Sequence, residues 1–487
     1  MLKQLFGAGR PDHPMANPKE ARRILEALPP QELKALQELA DWHESVSAAE
    51  GFKSADRVAL LTALDEAAQP RVRKLSRDYF GAVRPSRFLE NQLWTQLHQY
   101  WHQAGQAWAR AMDGVLAAKG DAKMLAPVAL RALRAMGQQI KWQHMRYGPI
   151  DAAVWGLLNK VYAAAEAHGI AEARNEFLRA AMFSASSPDG LLPLEIEIAE
   201  RLVSELSGGF VVSKSPGREL LYWTDLAAAM APLRATRAPQ PAASVRFFGP
   251  GTAAAALQGL IQRIEKSREV PSDIKLGAPY EAEVVLEVMR HVAVYWSPEP
   301  PERKHARHAV KSRLAIAHGF AGMAEALGEA QTTLDFDKRG TESWIVDNVS
   351  AGGFGAIVPQ LKGDWLRVGT LLAMQPDGGT NWIAGIVRRV NRTSNQEARV
   401  GIQTLSRAPS LARFALRDVG EQVGLLLPAA VLGSGEVSIA LPANIYAQGM
   451  NLEAQIAGRQ HVYMPLGVAE RGEDYEIVRF REMIRES

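Results

Sequence analysis

The chain has 487 residues, enough for roughly three domains of ordinary size. Its 56 Lys and Arg face 53 Asp and Glu for a formal charge of +3, which argues against a protein that coats nucleic acid over its whole surface but leaves room for one local basic site. A hydrophobic share of 47 % with 22 % charged residues excludes global disorder, and the absence of cysteine excludes disulfides, thiolate metal centres and cysteine nucleophiles.

The first segment, Met1–Gly7, carries no apolar core or cleavage signal, and no apolar run approaches the roughly 20 residues that span a bilayer. The expectation is a soluble cytoplasmic protein of bacterial type with no membrane span. The thiol-free composition fits a reducing compartment.

The first 200 residues are rich in Ala, Leu, Glu, Gln and Arg, good helix formers. Asn17-Pro18-Lys19-Glu20 offers a cap acceptor, a proline at the first helical position and a glutamate placed to close a capping box. Leu33, Leu36, Leu39 and Val46 mark one helical stripe, and further helices are expected to begin near Ser54, Ser86, Asp121, Pro149 and Ile170. Short connections imply antiparallel neighbours, so residues 1–207 read as an α-helical bundle or helical-hairpin domain.

Residues 208–300 read as a mixed α/β linker domain. Phe210–Val212 and Val245–Phe248 form short strands, an exposed Ala/Pro-rich loop runs from Arg234 to Ala243, and two helices follow at about 252–267 and 279–295. After Ser297-Pro298-Glu299-Pro300-Pro301 the texture turns to strands: Arg313–Ala317, Trp344–Asp347, Leu366–Met374, Trp382–Val390 and Arg399–Leu405, with one Ala/Glu-rich helical piece near 321–330. Close-spaced short strands over 301–410 suggest a small antiparallel β-barrel. Residues 411–487 read as a β-rich C-terminal domain, with strands at Val437–Leu441 and Tyr475–Phe480. The fold class is therefore α+β multidomain.

Two motifs carry chemistry. Residues 303–313 read RKHARHAVKSR, with five cations, two histidines and no acid, and include the RxxxR pair Arg303 and Arg307. Further on, at the end of a strand, lies NxSxxG: Asn348, Ser350 and Gly353. RxxxR alone carries little information, since Arg73/Arg77, Arg388/Arg392 and Arg481/Arg485 also fit it; NxSxxG occurs once. Arginine presents a planar donor fork that matches phosphate oxygens and guanine edges, and short polar groups with glycines let a flat ligand approach the backbone.

In this order, with an intervening strand and later strands at Trp382–Arg388 and Arg399–Gln403, the region from about 300 to 410 resembles the PilZ domain, a family of small β-barrels that bind cyclic di-GMP. The resemblance implies that Arg303, Lys304, Arg307, Asn348, Ser350, Gly352 and Gly353 bind this ligand, with both glycines supplying positive φ. It implies a receptor without catalysis, metal or other cofactor. The Arg307-to-Asn348 spacing is longer than the compact family pattern because the helical piece is inserted, and Asn348 stands where the family more often has Asp.

Read this way, the protein is a cyclic di-GMP receptor that passes the second-messenger level to a protein partner through its helical N-terminal region, with no DNA or RNA partner. Motility and biofilm formation are the processes usually tied to that family. Two other readings stay open: a PilZ-like scaffold that has lost its ligand, and an enzyme with an unrecognised site in residues 1–300. Other signals read as structure. His98 and His102 lack the acidic partner of a metalloprotease helix, Trp94, Trp101 and Trp108 recur on one helical face, and Gly249-Pro250-Gly251-Thr252 is a helix entry without the Lys-Ser/Thr of a phosphate loop.

Overall fold

A computed structural model describes residues 11–81, 86–118, 122–237, 239–299, 306–329, 341–394, 396–416, 419–428 and 435–485. The chain forms two compact units, Met1–Pro301 and Glu302–Ser487. Among the described residues no helix is long and apolar enough to cross a membrane.

The first unit opens with α1 (Pro18–Glu26), α2 (Glu32–Ala48), α3 (Ser54–Tyr79), α4 (Arg87–Ala117) and α5 (Ala122–His144). Side-chain caps start several of them. Asn17 Oδ1 accepts from the Lys19 amide at 2.9 Å, and Ser86 Oγ accepts from that of Leu89 at 3.3 Å. The expected capping box does not close, because Glu20 turns to pair with Arg23 one turn on. Then come α6 (Ala152–Ala167), α7 (Ala171–Ala185) and α8 (Pro193–Leu206). The helix expected at Pro149 begins later because Asp151 supplies the cap, its carboxylate accepting from the Ala153 amide at 2.8 Å.

The tryptophan repeat of α4 faces inward, Trp101 and Trp108 buried and Trp94 donating from Nε1 to the Trp142 carbonyl at 2.6 Å. Trp108 also donates to Asp65, the polar centre of the bundle. Its carboxylate accepts from His43 of α2 at 3.1 Å, Tyr100 and Trp108 of α4 at 3.1 and 3.0 Å, and Arg131 of α5 at 2.8 Å. Burial alone would raise this carboxyl, but the His43 and Arg131 partners together bring it below the ordinary range. One side chain on α3 thus ties three other helices.

A four-stranded antiparallel sheet completes this unit: β1 (Val211–Ser213), β2 (Tyr222–Asp225), β3 (Leu233–Arg234) and β4 (Val245–Gly249), in the order β1-β4-β2-β3. β2 and β3 fall where the sequence reading named no strand, β3 ending on the first residue of the expected Arg234–Ala243 loop; they are too short to show a period. On fully buried β4, Arg246 donates to Glu166 of α6 at 3.0 Å and to the Ala243 and Val245 carbonyls at 2.8 Å each. Helices α9 (Thr252–Ser267) and α10 (Ala282–Tyr295) follow. The Gly249–Thr252 entry is dictated by packing, since a Cβ on Gly251 would stand 2.4 Å from the Gly209 carbonyl oxygen.

The second unit holds two closed six-stranded barrels. The first is built from β5 (His308–His318), β6 (Glu342–Ser350), β7 (Gly353–Val358), β8 (Leu371–Pro376), β9 (Ile383–Arg392) and β10 (Ala398–Ser406), in the order β10-β7-β6-β5-β8-β9. Helix α11 (Gly319–Glu329), the piece inserted between β5 and β6, packs on β8 and β5. β8 starts later than its apolar run suggests: Gly369 turns the chain at positive φ, and Thr370 Oγ1 bonds the Trp365 carbonyl.

The second barrel comprises β11 (Ser410–Leu416), β12 (Gly420–Leu427), β13 (Glu436–Pro442), β14 (Leu452–Ile456), β15 (Arg459–Arg471) and β16 (Tyr475–Arg485), in the order β11-β12-β13-β16-β15-β14. It makes the β-rich tail a closed barrel in its own right. One apolar core spans both barrels: Phe320 and Met323 of α11 and Trp382 of the first meet Leu425, Tyr475 and Ile477 of the second. Asp474 caps α11, accepting the Phe320 amide at 2.6 Å, and the Tyr475 hydroxyl donates to the Gly369 carbonyl at 2.6 Å.

Candidate functional site

Barrel closure brings the two motifs together. β5 pairs antiparallel with β6, with His308 opposite Val349 and Ala309 opposite Asn348. Arg307, exposed and one residue before β5, therefore continues this register toward Ser350. Side chains on a strand alternate faces, so Arg307, Asn348 and Ser350 share one side of the sheet. Arg303 and Lys304 lie outside the described residues.

Asn348, Ser350 and Gly353 form the hairpin from β6 to β7, with Ser350 and Gly353 as the closing pair around Ala351-Gly352. Ser350 Oγ donates to the Gly353 carbonyl at 3.3 Å, and the Gly352 carbonyl accepts from the Thr404 amide of β10 at 3.0 Å. Positive φ belongs to Gly353 (+156°) and not to Gly352, which corrects the expectation for that pair. At Gly353 the need comes from β10: a Cβ would stand 1.9 Å from the Ile402 carbonyl oxygen.

Asn348 donates from Nδ2 to the Asp347 carboxylate at 2.5 Å and lies against Gly355, where a Cβ would stand 2.3 Å from Nδ2. Gly355 is a neighbour of the candidate site that sequence reasoning missed; the Gly353-Phe354-Gly355 run held the signal. Gly355 pairs with Gly401, and Gly353 with Gln403. Their neighbours Ala356, Val400 and Ile402 point into the barrel, so Gly353, Gly355 and Gly401 lie on the opposite face of the strands. Gly353 and Gly355 are themselves buried, Gly355 beneath the Asn348 side chain, and Gly401 is half-buried.

Two further arginines border this face. Gly401 pairs with Arg389, but the next residue, Ile402, pairs with Val387, so Arg388 is the extra residue of a β-bulge. The bulge leaves Arg388 and Arg389 both exposed between buried Val387 and Val390. Arg388 donates from Nε to Gln403 Oε1 at 2.7 Å, and from Nη1 and Nη2 to both oxygens of Glu470 on β15 at 2.7 and 2.6 Å. Sequence reasoning met Arg388 as the end of a barrel strand and as a chance match to RxxxR, not as a site residue. Its signal was Val387-Arg388-Arg389-Val390, which breaks the period of two.

The arrangement offers a short amide and a hydroxyl on the outward side of a glycine-rich hairpin, with guanidinium groups around it. Such a surface suits a planar base joined to phosphate. Among the described residues no group of three His, Asp or Glu is placed to hold a metal. His98 stacks on Trp94 at 4.9 Å, and burial together with neighbouring His102 lowers its pKa to about 4.

The chain's similarity to known proteins falls elsewhere. No curated protein matches it. Residues 19–216, which hold α1 to α8 and β1, match the family model for the N-terminal domain of the cyclic-di-GMP receptor FimW.

Proposed function

We propose that this protein is a non-catalytic cyclic di-GMP receptor whose nucleotide site is the outer face of the first barrel. Arg303, Lys304 and Arg307 grip phosphate, Asn348 and Ser350 meet guanine edges, and Gly352 and Gly353 let the ligand rest on backbone. The carrying observation is the convergence of Arg307 with the Asn348–Gly353 hairpin across paired strands. The match of residues 19–216 to a domain of a cyclic-di-GMP receptor supports the same ligand from an independent part of the chain.

In this reading 301–410 is a PilZ-like sensor domain, 411–487 its companion domain, 208–300 a linker domain and 1–207 the helical domain that meets a protein partner in the cytoplasm. Differential affinity of the nucleotide for two states of the receptor shifts their population. Isothermal titration of the full chain with cyclic di-GMP is the test. Binding at about micromolar Kd or tighter is expected, with a loss of about tenfold or more in Arg307→Ala, equivalent to about 1.4 kcal/mol. A folded chain that gives no heat overturns the reading.

A further inference from the structure

We infer that Arg388 is a ligand-contacting residue shared with the second barrel, and that Glu470 competes with the nucleotide for it, so the Arg388–Glu470 ion pair sets the affinity of the first barrel. This rests on the proposed assignment of the outer face of the first barrel as the cyclic di-GMP site.

The placement of Arg388 is the first argument. A bulge on β9 adds one residue opposite Gly401 and Ile402, and Arg388 is brought to Gln403, the register partner of Gly353. The guanidinium thus sits one strand over from the hairpin that carries Asn348, Ser350 and Gly353.

Occupancy is the second argument. Arg388 gives Nε to Gln403 and both terminal nitrogens to Glu470 in a two-pronged pair. That is the fork geometry which carboxylate and phosphate share, so a phosphodiester and Glu470 want the same donors. Glu470 also places a negative charge beside a face that would receive a dianion, and like charge there lowers affinity.

The third argument is what Glu470 belongs to. It lies on β15, where pairing with β16 shifts register between Val468 and Glu470. The strand is irregular at the point where the first barrel holds it. Coupling free energy is reciprocal: if Glu470 weakens the nucleotide, the nucleotide weakens the hold of Arg388 on β15 by the same factor. The pair is therefore a route by which occupancy of one barrel reaches the other.

The test is titration of cyclic di-GMP into the full chain as wild type, Glu470→Gln, Arg388→Gln and the double variant. Glu470→Gln is expected to tighten Kd by about threefold or more and Arg388→Gln to weaken it by about tenfold, with the gain from Glu470→Gln smaller in the Arg388→Gln background than in the wild type. An unchanged or weaker Kd in Glu470→Gln, or an unchanged Kd in Arg388→Gln, overturns this inference while leaving the site assignment standing, provided Arg307→Ala still loses affinity. No binding by the wild type overturns both. A second measurement needs no variant: amide exchange in β15 near Val468–Arg471 is expected to speed up with ligand, and unchanged or slower exchange overturns the coupling.

Discussion

The helical unit and the barrel pair use charge in opposite ways. The helical unit has exposed pairs such as Glu20–Arg23, but its centre is closed: Asp65 takes four donors, Lys141 meets Glu197 at 2.8 Å with both side chains almost fully buried, and Arg246 is locked to Glu166. On the first barrel Arg307, Arg388 and Arg389 stand exposed beside the β6–β7 hairpin, and the pair that Arg388 makes with Glu470 faces water. A charge that must hold helices has to be desolvated and satisfied, whereas one that must meet an anionic ligand has to be within its reach. The position of an arginine, more than its presence, separates scaffold from site.

That contrast breaks most sharply at Asp65. Asp65→Ala removes the common acceptor of His43, Tyr100, Trp108 and Arg131, and is expected to destabilise the helical unit by roughly 3–5 kcal/mol. Chemical denaturation followed by circular dichroism measures it, and a loss under about 1 kcal/mol would deny the network its structural role.

Acid gives the next effect. Burial lowers the His144 pKa to about 4 from 6.5. The unfolded chain then binds a proton that the folded one refuses, so stability is full above about pH 6.5 and falls as pH drops toward about 4. Full expression of that shift is roughly 3 kcal/mol. Half-buried His98, lowered to a similar value, acts in the same direction. Glu166, whose hydrogen bond from Arg246 holds its carboxyl below the ordinary range, extends the loss to lower pH. Urea midpoints measured across this window should slope downward with acid; a flat profile would mean these histidines accept protons in place.

The smallest effect sharpens the comparison from the other side. Arg307 is exposed and precedes its strand, so Arg307→Ala should change stability by under about 0.5 kcal/mol while weakening the nucleotide. A large shift in melting temperature would make Arg307 a structural residue.

Much of this was legible in the sequence because short-range chemistry wrote it. Asn17 and Ser86 announced helix starts, Trp94, Trp101 and Trp108 announced a seam, and the spacing of Arg307 with Asn348, Ser350 and Gly353 announced residues that strand pairing brings together. β7 was not legible, since Gly353 and Gly355 erase the strand signal that β-branched residues give. The second barrel hid its closure, because β14 is short and pairs with β11 at only Leu416–Leu452 and Ala415–Glu453. Arg388 hid its place because a bulge set it and its partner Glu470 lies in another barrel. Local spacing encodes elements and hairpins, and long-range pairing decides which charged side chains become neighbours.

Helix α11 has a consequence for portability. Its first turn is capped by Asp474, and its apolar face lies in a core completed by Leu425, Tyr475 and Ile477. A fragment ending after Ser406 would lose that cap and present Phe320, Met323 and Leu327 to water. The first barrel is thus not a cassette to be cut out and grafted: duplication or transplantation would have to move residues from about 306 to 485 together.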